Sequence, residues 1–194
     1  VSDSGNRLRS LPLMKAAGVP VPKWTQHEWK PKEWLENDFS VICRKEIRSQ
    51  GGDGLVFVKP GQELPPACSM YTQFALHHEE YRVHVFQGKV LDLQEKLKRT
   101  DFEGTRDPFI KSHDKGWILC RNHLAPVDVP QAVIDASVKA VGALGLDFGA
   151  TDVGWNTETQ KAMVYEVNTA PGLDHEFTQN KYCEAIRGVY NALG

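Results

Sequence analysis

The sequence predicts an α+β fold built on antiparallel strands, as one sizeable domain or as two lobes sharing a cleft. Three observations point there. A strand, a glycine-rich loop and a second strand follow one another across residues 40–59 with no helix between them. A hairpin of unusual charge density follows at 80–96. A second hairpin near the C-terminus ends in VYEVNTAPG, where Glu166 and Asn168 stand two apart on one strand face, just before a loop. The 194 residues suffice for one sizeable domain or two lobes.

Composition narrows the function. Hydrophobic residues make up 41% and charged residues 25%, an ordinary soluble globular balance. A net charge of −2 argues against a general nucleic-acid binder. No apolar run approaches the ~20 residues of a membrane span, and no signal peptide is visible. The cysteines Cys43, Cys68, Cys120 and Cys183 form no close pair, so free thiols in a reducing, cytoplasmic compartment are expected, with Cys43 in VIC a small buried hydrophobe.

Taken in order, SLPLMKAAGVPVP predicts a short helix with Ser10 as N-cap, Gly18 at its C-terminal stop and Pro20 and Pro22 forbidding continuation. Residues 23–34 are rich in Pro and Trp and read as packing aromatics. SVICR and LVFVK, at 40–44 and 55–59, are strands around KEIRSQGGDG. No helix follows these glycines, which excludes a P-loop. The loop is either a flexible hairpin or a mobile lid whose backbone N–H groups, at Gly51, Gly52 and Gly54, close over phosphates. Residues 71–74 are a strand.

In the charged hairpin, Glu80, Arg82 and His84 share one face, and Tyr81, Val83 and Val85 the other. Matching the apolar faces pairs Val83 with Leu93, Arg82 with Gln94 and Glu80 with Lys96 around a three-residue loop. For any single hairpin such a face is more commonly a solvated surface laced with cross-strand ion pairs. Residues 101–116 read as a long irregular loop, GWILCRNH as a strand, and 130–142 as an amphipathic helix opened by Pro130, with Val133, Ala136, Val138, Ala140 and Val141 on its apolar side. Strands at 146–155 and 162–168 flank the turn NTETQK, and NKYCEAIRGVYNAL closes the chain as a helix.

The last hairpin brings Asp152 opposite Glu166, with Asn168 beside it. Carboxylates so placed repel each other and are costly to dehydrate. A hard divalent cation resolves this, and Mg²⁺ is usually held by one or two carboxylates plus substrate phosphates.

These parts, in this order, resemble the ATP-grasp superfamily of carboxylate–amine ligases over nearly the whole chain. KAAGVPVP resembles its opening helix, RKEIRSQGGDGLVF its first nucleotide strand and glycine lid, QFALHHEEYRVHVF its adenine hinge, and GATDVGW with VYEVNTAPGL its metal hairpin. EYRVHVFQGKV resembles small phage-encoded members. The resemblance implies two α+β lobes clasping ATP, over 1–75 (lead helix and small lobe) and 76–194 (large lobe), with little or no preceding domain. It implies that Gln73, Phe74 and Leu76 form the hinge, that Glu80 bonds the ribose, and that Asp152, Glu166 and Asn168 hold one or two Mg²⁺ ions, with Mn²⁺ able to substitute. Arg44 stands where many members have a phosphate-binding lysine, with Lys45 next, and strand alternation allows only one of them into the cleft. Arg82, Lys96 and Arg99 would neutralise the γ-phosphate and an acyl-phosphate. The expected activity is amide formation through an acyl-phosphate on an amino-acid, peptide or protein-terminus substrate, with a kinase or a non-catalytic nucleotide-binding phage component as alternatives. A missing N-terminal domain or a partner subunit would complete the substrate site.

Overall fold

The computed structural model describes residues 6–47, 52–121, 123–124, 128–173 and 175–192. The first helix, α1 (Arg7–Ala16), starts earlier than the sequence suggests. Its cap is Asn6, whose Oδ1 accepts from the Leu8 N–H at 3.0 Å, while Ser10 lies buried inside the helix. The helix runs through Pro12, a residue that costs a helix interior roughly 3 kcal/mol. Burial of Leu11 and Met14, worth about 1.5–3 kcal/mol each, outweighs that. The expected stop holds. Gly18 sits at φ +74°, and the N–H groups of Gly18 and Val19 donate to the carbonyls of Lys15 and Met14.

The first sheet has four antiparallel strands in the order β1 (Trp24–Thr25), β4 (Met70–Gln73), β2 (Val41–Arg44), β3 (Leu55–Val58). A helix the sequence reading missed, α2 (Trp29–Glu36), covers one face of it. Pro31 looks like a breaker there, but it lies in the first turn, where its missing N–H has no helical partner anyway. Trp34 and Leu35 of α2 pack on Val41, Cys43, Val58 and Tyr71.

The second sheet has five antiparallel strands in the order β7 (Trp117–Cys120), β6 (Lys89–Lys98), β5 (Glu79–Phe86), β8 (Phe148–Asn156), β9 (Lys161–Asn168). Helix α3 (Gln131–Ala143) covers its apolar face, bringing Val133, Ala140 and Val141 against Val83, Val85, Val153 and Val164. Helix α1 joins this core through Leu11 and Met14, and the Val164 N–H donates to Pro20 O at 2.7 Å. The lead helix, grouped along the sequence with the first sheet, therefore packs with the second. The last helix, α4 (Glu176–Ala192), lies on β6.

The charged hairpin has the expected register at its centre, with Val83 opposite Leu93 and Arg82 opposite Gln94. Its turn differs. A bulge between His84 and Val85 shifts the pairing by one, so that Phe86 faces Lys89 across only Gln87 and Gly88, both at positive φ. That is the backbone a two-residue hairpin turn requires.

Candidate functional site

The unoccluded faces of the two sheets enclose a cleft of about 680 Å³. From the first sheet come Ile42 and Arg44. Val41 and Cys43 point the other way into the α2 core, so alternation along β2 settles the choice left open by the sequence. Arg44 lines the cleft. Lys45 does not, and its backbone instead closes the hairpin, with its N–H on Gly54 O and its carbonyl accepting from Ser69 Oγ at 2.7 Å. Gly52 reaches the cleft at φ +84°, where a Cβ would stand 3.1 Å from Ile110, whereas Gly54 does not line it. Gly51 lies outside the described residues, as do Asn122 and Asp174.

The hinge crosses behind this wall. The Gln73 and Phe74 N–H groups are occupied by Lys23 O and Ser40 O, and Leu76 O accepts from Asn156 Nδ2 at 3.0 Å. Leu76 turns its side chain to solvent. The Phe74 carbonyl and the Leu76 N–H are left without a bond among the described residues, the acceptor and donor a purine edge uses.

From the second sheet, Glu80 is buried between Lys96, which donates to its Oε1, and His77, whose Nε2 lies 3.3 Å from Oε2. Burial alone would raise the Glu80 carboxyl, but Lys96 and His77 outweigh it and hold it below its usual value. Arg82 grips Asp152 through two bonds of 2.7 and 2.8 Å. Against its burial, that guanidinium holds Asp152 at about 2.

As expected, Asp152 and Glu166 face each other across β8 and β9. The pairing then shifts by one between Asp152 and Val153, leaving Tyr165 as an extra residue that swings into the cleft. There it lies over Gly154, where any side chain would clash with its ring, and its hydroxyl meets His77 Nδ1 at 2.7 Å. Glu166 pairs with Arg7 of α1, and Asn168 Nδ2 donates to Glu166 Oε1 at 3.4 Å. Two carboxylates and an amide oxygen are the donor set of a hard cation, and they fit Mg²⁺. In this arrangement arginines neutralise both carboxylates.

Among the described residues five cations line the cleft, Arg7, Arg44, Arg82, Lys96 and Lys111, against three carboxylates, Glu80, Asp152 and Glu166. Burial and the neighbouring Arg7 push Arg44 down to about 9, and burial lowers Arg7 and Lys111 as well. Like charges crowded under partial burial are relieved by a polyanion.

Arg99 does not belong to this cluster. It pairs with Asp101 at 2.8 Å and does not line the cleft itself, although its Nη1 lies 3.3 Å from Nε2 of His113, which does. Sequence reasoning missed Arg7, His77, Lys111 and Tyr165. The signal for Tyr165 was present, since a glycine inside a strand marks a close approach. Arg7, in a helix, and Lys111, in an irregular loop, carry no pattern at all.

No family model matches the sequence, and no curated protein matches it. Solved structures do match its shape. D-alanine–D-alanine ligase from Bacillus anthracis superposes with a TM-score of 0.65 at 18% identity, over 88% of this chain and 58% of that one. The VanG D-Ala:D-Ser ligase from Enterococcus faecalis gives 0.65 at 20%, over 88% and 53%. The ATP-grasp ligase PsnB, solved with a minimal precursor, gives 0.61 at 16%, over 89% and 54%. The chain thus spans little more than half the length of each. With two antiparallel sheets around one cleft and helices α2 and α3 on their outer faces, its fold is the ATP-grasp fold.

Proposed function

We propose that the chain binds Mg-ATP in this cleft and catalyses ATP-dependent carboxylate–amine ligation. The observation that carries the proposal is the facing of five cations and an Asp152–Glu166–Asn168 oxygen shelf across a single cavity. Phosphoryl transfer asks little of a protein beyond positioning and charge stabilisation, and this arrangement supplies both.

The base lies against Ile42 and Phe74 and reads the Phe74 carbonyl and Leu76 N–H. Glu80, kept ionised by Lys96 and His77, accepts from the ribose hydroxyls. Arg44 and Arg7 take the phosphates, and Gly52 brings backbone N–H groups close to them. Asp152, Glu166 and Asn168 would hold Mg²⁺, which would neutralise charge on the phosphate oxygens. Arg7 then leaves Glu166 for the nucleotide. Arg82, Lys96 and Lys111 stabilise charge where the substrate carboxylate attacks the γ-phosphorus, forming an acyl-phosphate and releasing ADP. The amine attacks that carbonyl carbon, and phosphate leaves. Enclosure by the two sheets keeps water from the acyl-phosphate.

Related folds are solved with ATP, and with Mg and ADP, and PsnB with a precursor peptide, so a peptide is the substrate class we favour. No helix among the described residues is long and apolar enough to cross a membrane.

The test is ATP turnover with Mg²⁺, with and without a mixture of amino acids and short peptides. ADP and phosphate appearing only with the mixture, alongside a product whose mass equals two components minus water, is the expected result. A phosphorylated product without condensation marks a phosphotransferase instead. No nucleotide binding removes the reading.

A further inference from the structure

A second cavity, of about 570 Å³, opens on the opposite side of the first sheet, within the size range of ligand sites. Its floor is β1 and the end of β4, and its walls are α2 and the C-terminal end of α1. Trp24, Trp29, Trp34 and Phe39 line it, with Trp29 62% and Phe39 48% exposed. Aromatic surface left open beside a cavity is unusual for a surface with no partner.

Its charge is one-sided. Lys15, Lys23 and Lys30 line it against a single carboxylate, Glu33, which Lys30 already binds through both oxygens at 2.7 and 2.9 Å. Lys15 is held 5.4 Å from the Trp24 ring centroid. Among the described residues neither Lys15 nor Lys23 has a carboxylate partner. Gln73 Nε2, at the floor, is a buried donor with no acceptor among the described residues. β1 is the edge strand of its sheet, with β4 on one side and, among the described residues, no strand on the other.

We infer that this groove is a docking site for an extended acidic peptide segment carrying an apolar side chain. Carboxylates reach Lys15 and Lys23, and the apolar side chain lies on Trp29 and Phe39. The peptide backbone supplies an acceptor for Gln73 and pairs with the open edge of β1, the strand-addition mode of peptide recognition. Lysine beside aromatic rings also suits single-stranded nucleic acid. Here the lining holds no arginine and one glutamate, and the chain is net negative, which favours the peptide. The site is separate from the cleft and shares only Gln73 with it.

Three of the five tryptophans line the groove, so intrinsic fluorescence reports on it. The full chain is titrated with the blocked hexapeptide EEFEEL, its counterpart KKFKKL and a short oligothymidylate. Saturable quenching by EEFEEL alone is expected, weakened about tenfold or more by the Lys15→Glu, Lys23→Glu double variant and by Trp29→Ala, whose side chain is too exposed to support the core. Glu166→Gln, which disables the cleft, leaves EEFEEL binding unchanged, so failure here and failure of the ligase reading are distinguishable. Absence of saturable quenching, equal binding by the charge-reversed variant, or tighter binding of the oligothymidylate each overturns the proposal.

Discussion

The polar face of the second sheet has two ends that residue type does not distinguish. At one end lie Glu80, Arg82 and Lys96 of β5 and β6 with Asp152 of β8; at the other, also on β5 and β6, lie His84, Asp92 and Gln94. Helix α4 covers the second end. Asp92 accepts from Thr178 Oγ1 at 2.6 Å, from Arg121 Nη2 at 3.0 Å and from Gln94 Nε2 at 3.1 Å, while His84 Nδ1 meets the Tyr182 hydroxyl at 3.2 Å. Each charge there is answered within the protein. The first end opens into the cleft, where cations outnumber carboxylates five to three. A buried charge is structural where its partners close around it. It belongs to a site where the balance is left for a ligand to complete.

Changes at the two ends should therefore fail in opposite ways, and the largest effect is expected at the open end. Glu166→Gln keeps the shape and a bond to Arg7 but weakens the oxygen shelf. Turnover should fall about a thousandfold, roughly 4 kcal/mol of transition-state stabilisation, with little change in the urea midpoint. Retained turnover would place the metal elsewhere.

At the closed end, Asp92→Ala strands Arg121 and Thr178 beneath α4. Breaking a buried pair by removing one partner costs about 3–5 kcal/mol, so urea unfolding should show that loss. Turnover per folded molecule should stay within about threefold of the parent. A variant of unchanged stability but lost activity would show that the α4 network acts on the chemistry.

The sheet-level outline of this division was legible in the sequence, and its contents only in part. Apolar matching placed Val83 against Leu93 because a one-residue slip would have buried histidine among leucines. It put Asp152 opposite Glu166 because the turn between their strands is short. What it did not reveal was cover. Nothing in the alternation of β5 tells Glu80 from His84, because the difference lies in α4, some ninety residues downstream. His84 and Asp92 stand opposite each other across β5 and β6, yet α4 supplies Tyr182 to the imidazole and Thr178 to the carboxylate. Arg7 reaches Glu166 through the docking of α1 on β9, a tertiary event without local signal. Tyr165 entered the cleft through a bulge that a strict period of two cannot show.

Proton linkage separates the two ends further. Burial pushes His84 down to about 4 from 6.5. The unfolded chain then binds this proton first on acidification, so the stability associated with neutral His84 is full above pH 6.5. It is lost progressively as the pH falls to about 4, by about 3 kcal/mol in total. His84→Gln should flatten the unfolding free energy across that window when urea melts are run at stepped pH. An unchanged slope would mean that α4 opens to let the imidazole charge in the folded protein.

Asp152 governs a lower window and a smaller effect. Despite its burial, Arg82 holds its carboxyl at about 2, below the 3.8 of the free side chain. Its contribution is therefore present above pH 3.8 and lost between there and about 2, roughly 2 kcal/mol. Arg82→Gln removes the cation that overcomes desolvation, leaving burial to raise the carboxyl. If its value climbs above 3.8, the folded state becomes the better proton acceptor, and the sign inverts. Stability would then rise, not fall, as acid is added through that window. Lys96 and Arg7 also lower Asp152 and limit the climb, so the expected signature is a shrunken or reversed acid slope below pH 4, with only a small upward shift of the His84 window, because Arg82 also lowers His84 but burial dominates there. Movement of the His84 window as far as that of Asp152 would mean that the two ends of this face are electrostatically one network, and the distinction between closed and open ends would fall.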